Sequence, residues 1–490
     1  TMASSWPTVK LLMTQDTSSP HTNALSIAFR TLGCKLNQCE TAQMEERVRA
    51  CGYAVVPWSE HADVRVINSC TVTGKSDREC RHEARRAKRR DPSSKVVLTG
   101  CFPQVSPDAA ATVAGVDLVL GNKEKLDLPK HLSMLLGDPP TSPASPYHER
   151  VPESGMRSSA SAPVCAAPYG ASTCFRTDLI HHVSGYTRAF LKVQTGCDSR
   201  CSYCIIPRAR GPARSMPLAE VVRQVRVLGQ EGYREVVLTG IHLGQWGRDT
   251  GEGGLAELLS ALVADPKGPR LRLSSTEPME ITDRVLEVVA QAGCRIAPHF
   301  HVPLQSGSDR VLRMMNRPYS SSQYAERVNA IRRRFPEAAI GADVIVGFPG
   351  ETDHDFGCTL ELVARLPLTH VHVFAYSDRR GTPASALESK VQPEIIKARS
   401  RELRSLGGLK RMGFLAALEG RVLEVLVLQR RAENGLLEGL SGNYVNVHFP
   451  GGDGAMNTYC RVALDSLGAD GVWRGHQPAS GDCQAGGAEA

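Results

Sequence analysis

The chain predicts an α/β protein in three parts: an N-terminal βαβ domain with a parallel sheet, a central full or partial (β/α) barrel, and a small antiparallel β-barrel at the C-terminal end. Three observations carry this. Apolar strand-like runs alternate with helix-like stretches over residues 25–137 and again over 187–395. A segment of different composition separates the two: residues 138–172 hold seven prolines in 35 positions, with many Ser and Ala and no hydrophobic periodicity. From about Arg421 the strands become short, are punctuated by Gly and Asn, and have no helix between them.

Taken in order, residues 1–24 mix Ser, Thr, Pro and single charges and read as a disordered leader. Strands follow at Ser26–Thr31, Val64–Asn68, Lys95–Thr99 and Val116–Leu120, with helices at Gln38–Cys51 and Lys75–Arg90, which is the βαβ pattern of the first domain, 25–137. The Pro-rich stretch predicts a flexible linker over 138–186. Strands resume at Ala189–Gln194, Glu235–Thr239, Arg270–Ser274, Phe300–Leu304, Gly341–Gly347 and His370–Tyr376, giving the barrel, 187–395. A basic connector helix, 396–411, leads to a terminal barrel, 412–476, with strands at Arg421–Gln429, Tyr444–Phe449 and Tyr459–Leu464, and then a disordered tail, 477–490.

With 490 residues, 41% hydrophobic and 22% charged, the chain can bury sizeable cores and is not disordered as a whole. No run approaches the ~18 apolar residues of a membrane helix, and no secretory signal is visible, so a soluble cytoplasmic protein is expected. An odd count of 15 cysteines then argues for reduced thiols rather than a disulfide framework.

Six of these cysteines have a pattern. Cys197, Cys201 and Cys204 form a C-x3-C-x2-C run directly after the first strand of the central barrel. Three close thiolates suit a soft metal. Structural zinc would call for a fourth ligand nearby, and none follows. A [4Fe–4S] cluster held by three cysteines keeps one iron open to a small cofactor. Cys34, Cys70 and Cys101 each come directly after a predicted parallel strand of the first domain, and carboxyl ends of parallel strands share one edge of the sheet, so three thiols far apart in sequence can converge. They read as a second three-thiolate cluster. The other nine cysteines match no ligand position; Cys39 is the one to test, being five residues from Cys34.

The C-x3-C-x2-C run after a barrel strand resembles the signature of the radical S-adenosylmethionine (SAM) enzymes. Combined with Gly33-Cys34-Lys35-Leu36-Asn37-Gln38, Asn68-Ser69-Cys70-Thr71-Val72-Thr73 and Gly100-Cys101-Phe102-Pro103-Gln104, it resembles the methylthiotransferases, a radical SAM subfamily, over about residues 25–475. Further matching segments are Leu238–Gly244, Leu273–Pro278, Pro303–Asp309, Val346–Thr352 and Tyr376–Pro383. The resemblance implies that Cys197, Cys201 and Cys204 bind the SAM-cleaving [4Fe–4S] cluster, and that Cys34, Cys70 and Cys101 bind an auxiliary [4Fe–4S] cluster carrying the sulfur to be transferred. Thr239 and Gly240 resemble the stretch that contacts SAM, and Ser275, Glu277 and Gln305 are placed at the barrel mouth by the same analogy. An electron donor of flavodoxin or ferredoxin type and a sulfur donor are implied partners.

Basic residues cluster in Arg78–Arg90, where seven Lys/Arg face two Glu, and in Pro393–Phe414, where six face two. Such runs are often only solvated helix faces. Here they flank a terminal β-barrel containing Gly439–Val447, which is similar to the RNA-binding TRAM domain; Arg85, Arg86, Lys410, Arg411, Asn443 and Tyr444 are the expected RNA contacts. The wording of the cysteine motifs resembles the branch that methylthiolates N6-threonylcarbamoyladenosine at position 37 of tRNA. The alternatives are the branches acting on N6-isopentenyladenosine in tRNA or on an aspartate of a ribosomal protein. From a different class, a non-catalytic RNA-binding iron–sulfur protein would be expected to carry four ligands per cluster. Asp355-Phe356-Gly357 lacks the companion motifs of a kinase.

Overall fold

The computed structural model describes residues 25–137, 161–170, 173–176, 180–181 and 186–478. The expected leader and most of the expected tail lie outside these residues, as does the larger part of the expected linker.

Six parallel strands form the N-terminal sheet: β1 (Ser26–Thr31), β2 (Ala54–Val56), β3 (Val64–Ser69), β4 (Lys95–Gly100), β5 (Leu118–Leu120) and β6 (Val164–Cys165), in the spatial order β2-β1-β3-β4-β5-β6. Every residue of β3 is buried, as expected of a central parallel strand covered on both faces. Helices Lys35–Ala50 and Gly74–Arg90 supply the crossovers. One expectation is corrected here. Val164 and Cys165 fall within the stretch read as linker, yet they pair in parallel with Val119 and Leu120 and extend the sheet. Proline-rich flanks hide a strand of two residues, which is too short to show a period of its own.

The central strands are β7 (Ala189–Lys192), β8 (Gln194–Thr195), β9 (Arg214–Ser215), β10 (Glu235–Thr239), β11 (Arg270–Leu273), β12 (His299–His301), β13 (Ala339–Val346) and β14 (His370–Ala375). Apart from the small β8–β9 ribbon they form two parallel three-stranded sheets, β11-β10-β7 and β12-β13-β14, joined by a bridge between Leu271 and Ile296. This is the partial form of the expected barrel. Helices between the strands begin at Ser or Thr caps: Thr282, Ser308, Ser320 and Thr352 each accept a hydrogen bond from the backbone N–H three residues on. Asp355 of the kinase-like tripeptide belongs to one of these capping boxes and pairs with Arg310, a structural task.

A 24-residue helix, Pro393–Ala416, packs on β14 and contains the expected connector. It leads into β15 (Val422–Arg431), β16 (Leu437–Ser441), β17 (Asn446–Phe449), β18 (Tyr459–Leu467) and β19 (Trp473–His476), which close a barrel in the order β15-β16-β17-β19-β18. Val425, Val427, Phe449 and Trp473 fill its interior. The expected strand at Tyr444 starts two residues later, because Tyr444 has φ +63° and turns the chain. Arg272 crosses between the two barrels, donating to the Gly442 carbonyl at 2.8 Å and the Ser441 carbonyl at 3.1 Å.

Candidate cluster and substrate site

The first cysteine triad is assembled by three neighbouring strands. Cys34 caps helix Lys35–Ala50 after β1, Cys70 follows β3, and Cys101 opens a short helix after β4. Since β1, β3 and β4 are adjacent, their carboxyl ends bring the thiols to one edge. Gly33, at φ +99°, lets this happen: a Cβ there would stand 2.6 Å from the Cys70 Cβ. Burial and the nearby Cys101 push the Cys70 thiol up to about 11. Asn122 donates to the Cys101 sulfur at 3.5 Å. Behind the triad lies a buried charge network: Arg210 Nη1 and Nη2 reach the two Glu40 oxygens at 2.9 and 3.0 Å, Lys125 pairs with the same carboxylate, and Lys192 stands 3.6 Å away.

The second triad sits on the loop after β8. Gly196, at φ +73°, has the Pro212 carbonyl oxygen 1.8 Å from where a Cβ would lie, so only glycine fits. Arg317 donates to the Cys201 sulfur at 3.2 Å and pairs with Glu277. His242 Nδ1 lies 3.5 Å from the Cys197 sulfur, and its Nε2 lies 2.8 Å from Glu280. Burial disfavours a charged imidazole at His242, but the bonds to Cys197 and Glu280 prevail and raise it to about 9. The Cys204 thiol is pushed up to about 12, chiefly by burial.

Both donor sets fit iron–sulfur clusters. Each offers three sulfurs with hydrogen-bond donors or cations beside them, which suits thiolates carrying negative charge. Among the described residues, the group of His, Cys, Asp and Glu donors lying within 4.8 Å of one another is His301, Asp343 and His372. The cysteine triads are therefore spread wider than a single zinc ion, with its ~2.3 Å bonds to sulfur, would hold them.

A cavity of about 1310 Å³ opens at the first triad and is lined by Cys34, Cys70 and Cys101 on one side and by Arg411 and Tyr444 on another. Thr239, Gly240 and Ser275 line it as well, and Ile206, just beyond the second triad, reaches it. Gln305 and Glu277 are not in its lining: Gln305, at φ +66°, is fixed by backbone bonds to Asp343 and Ile345, and Glu277 is held by Arg317. The expected RNA contacts divide in the same way. Asn443 is buried, accepts from Ser441 at 2.6 Å and donates to the Glu337 carbonyl at 3.1 Å. Lys410 donates to the Ala364 carbonyl at 2.9 Å. Arg85 and Arg86 are exposed on helix Gly74–Arg90, outside the cavity. Arg210, Glu40 and Arg317 escaped the sequence reading, and His242 stood in a quoted segment without a role, since their importance comes from partners 45 to 170 residues away. Lys35 stood inside a quoted motif, but its place on the cavity wall has no signature in sequence.

Known proteins agree with this architecture. Residues 191–363 match the radical SAM superfamily model, and residues 26–121 match an uncharacterized protein family, UPF0004. The threonylcarbamoyladenosine tRNA methylthiotransferase MtaB of Aquifex aeolicus is 40% identical over 86% of this chain and 96% of its own length. Its namesake from Bacillus subtilis is 35% identical over 90% and 94%. A tRNA-2-methylthio-N(6)-dimethylallyladenosine synthase of Staphylococcus haemolyticus is 29% identical over 89% and 82%. Among solved structures, the radical SAM methyltransferase TsrM from Kitasatospora setae shares the fold with a TM-score of 0.52 at 18% identity, covering 74% of this chain and 77% of that one. With two cysteine triads at the strand ends and relatives aligned along nearly their whole length, this chain belongs to the MtaB-type branch of the radical SAM methylthiotransferases.

Proposed function

We propose that the protein adds a methylthio group to C2 of N6-threonylcarbamoyladenosine at position 37 of tRNA. The observation that carries this is the union, around one cavity, of a three-thiol edge, the loop end of a second three-thiol site, and an aromatic and an arginine from the terminal barrel side. Cys34, Cys70 and Cys101 would hold the auxiliary cluster, and Cys197, Cys201 and Cys204 the cluster that binds SAM. When bound, these groups supply one-electron cleavage of SAM, sulfur for transfer and a methyl donor.

The chain's own residues do the rest. Arg317 and His242 steady the second triad by bonds to two of its sulfurs; for the first, Asn122 bonds the Cys101 sulfur and Arg210 supplies positive charge near Cys101 and Cys34. Thr239, Gly240 and Ser275 line the cavity and would form the wall against which SAM binds. Tyr444 and Arg411 face an adenine that must leave its stack to reach the cavity. On this reading residues 25–137 carry sulfur, 187–395 handle SAM, and 412–476 with Arg85 and Arg86 grip tRNA, in the cytoplasm, with an external reductant of flavodoxin or ferredoxin type and an external sulfur donor.

The test is anaerobic reconstitution with iron and sulfide, then incubation with SAM, a reductant and threonylcarbamoylated tRNA, with digested nucleosides read by mass spectrometry. Gain of one methylthio group on the threonylcarbamoyl nucleoside is expected. Formation of 5′-deoxyadenosine with that nucleoside unchanged would reject this substrate and point to isopentenyladenosine tRNA or to the ribosomal protein.

A further inference from the structure

The threonylcarbamoyl group ends in a carboxylate, so a site for it needs an uncommitted cation near the sulfur-bearing triad. Lys35, next to Cys34, lines the cavity and makes no hydrogen bond or ion pair with any described residue. The acids on the cavity wall are already engaged. Asp343 lies 2.9 Å from His301 Nε2 and 3.3 Å from His372 Nδ1, and Glu231 lies 3.3 Å from His181 Nδ1. Glu235, behind the wall, is taken by Arg270 at 2.7 Å and Arg272 at 2.8 Å and reaches Arg188 only at 3.4 Å.

Other cations gather beside Lys35 around a single ring. The Arg188 guanidinium lies 5.7 Å from the Tyr444 ring centroid, Arg272 lies 5.0 Å from it, and Arg411 donates to the Tyr444 carbonyl at 3.2 Å. Burial would raise the Tyr444 phenol, but Lys35, Arg188 and Arg272 outweigh it and hold the phenol below its ordinary value, so the wall is electropositive. A wall of net positive charge in a cavity attracts an anion, and a lysine with no hydrogen bond or ion pair among the described residues has its donors to offer one.

We propose that Lys35, with Arg188 and Arg411 around Tyr444, forms an anion subsite that takes the carboxylate of the N6-threonylcarbamoyl group. The proposal rests on the function proposed above and adds the residue that reads the substituent. A backbone phosphate shares this chemistry but is present in every tRNA. A carboxylate is present only in the carbamoylated one.

The experiment therefore compares one tRNA with and without the threonylcarbamoyl group, using reconstituted protein and the variants Lys35→Gln and Lys35→Arg. Binding is measured for both RNAs, KM and kcat for the carbamoylated one, and iron content for every protein. Expected for Lys35→Gln is a loss of about 10- to 100-fold in affinity and in kcat/KM for carbamoylated tRNA, carried by KM, with binding of the plain tRNA and iron content unchanged. Lys35→Arg should restore most of the loss. Equal weakening for both RNAs would assign Lys35 to a phosphate and overturn the carboxylate assignment. Lost iron would make Lys35 a support of the cluster and overturn it too. Failure of the unaltered protein to modify carbamoylated tRNA would instead reject the underlying function, before any variant is compared.

Discussion

Glu40→Gln removes the one acid that three buried cations share. Glu40 is 4% exposed, and around it Arg210, Lys125 and Lys192 come from the loop helix after the second triad, the N-terminal domain and β7. Burial alone would raise the Glu40 pKa, but these cations hold it well below the ordinary carboxylate range. The glutamine keeps the shape and one acceptor, yet leaves Arg210 and Lys125, each about 1% exposed at the side chain, without a counter-charge. Breaking a buried pair in this way costs about 3–5 kcal/mol. With a urea slope of roughly 2–3 kcal/mol per molar, the midpoint of the affected transition should fall by about 1–2.5 M. The assay is equilibrium unfolding of the metal-free protein followed by tryptophan fluorescence, with Trp58 in the N-terminal domain and Trp246 in the central barrel as reporters. Both should move, because Glu40 joins the two domains. A shift under about 0.3 M would show that water or relaxation neutralises these cations, and would refute the argument from burial.

Three further outcomes are expected. Cys34→Ala should lose about half of the iron and all methylthio transfer while 5′-deoxyadenosine still forms, whereas Cys197→Ala should abolish 5′-deoxyadenosine; identical phenotypes would contradict two separate clusters. Cys39→Ala should leave iron content and activity unchanged, because the Cys39 thiol is buried in the central hydrophobic core, accepts from the Lys192 N–H at 3.3 Å and is pushed up to about 12 mainly by burial; a fall in iron would make it a ligand. Glu235 is lowered from 4.5 to about 2, since Arg272, Arg270 and Arg188 outweigh its burial. A depressed carboxylate stabilises the fold above its unfolded pKa and loses that contribution as pH falls through the folded one, so about 3 kcal/mol should vanish between about pH 4.5 and 2. Acid titration of the metal-free Glu235→Gln variant should show a shallower slope across that window, and an unchanged slope would refute the assignment.

Local patterns in the chain carried much of this outcome. The strands at Ser26–Thr31 and Glu235–Thr239 were legible to the residue, because a parallel strand is a short apolar run that depends little on its neighbours. The placement of Cys34, Cys70 and Cys101 after adjacent strands was legible because each follows a strand-like run, and that order is written along the chain. What depends on distant partners was not. Val164–Cys165 is a strand only because Leu118–Leu120 offers it an edge, and Asn443, read as an RNA contact, is turned inward by Glu337 on the neighbouring barrel. Arg210 and Lys35 are equally ordinary as letters. One becomes the buried counter-charge of Glu40, 170 residues away, and the other has no ion pair among the described residues and lies on a positive wall, because charge acts through space and its cost or benefit is set by which groups the fold brings within a few ångströms.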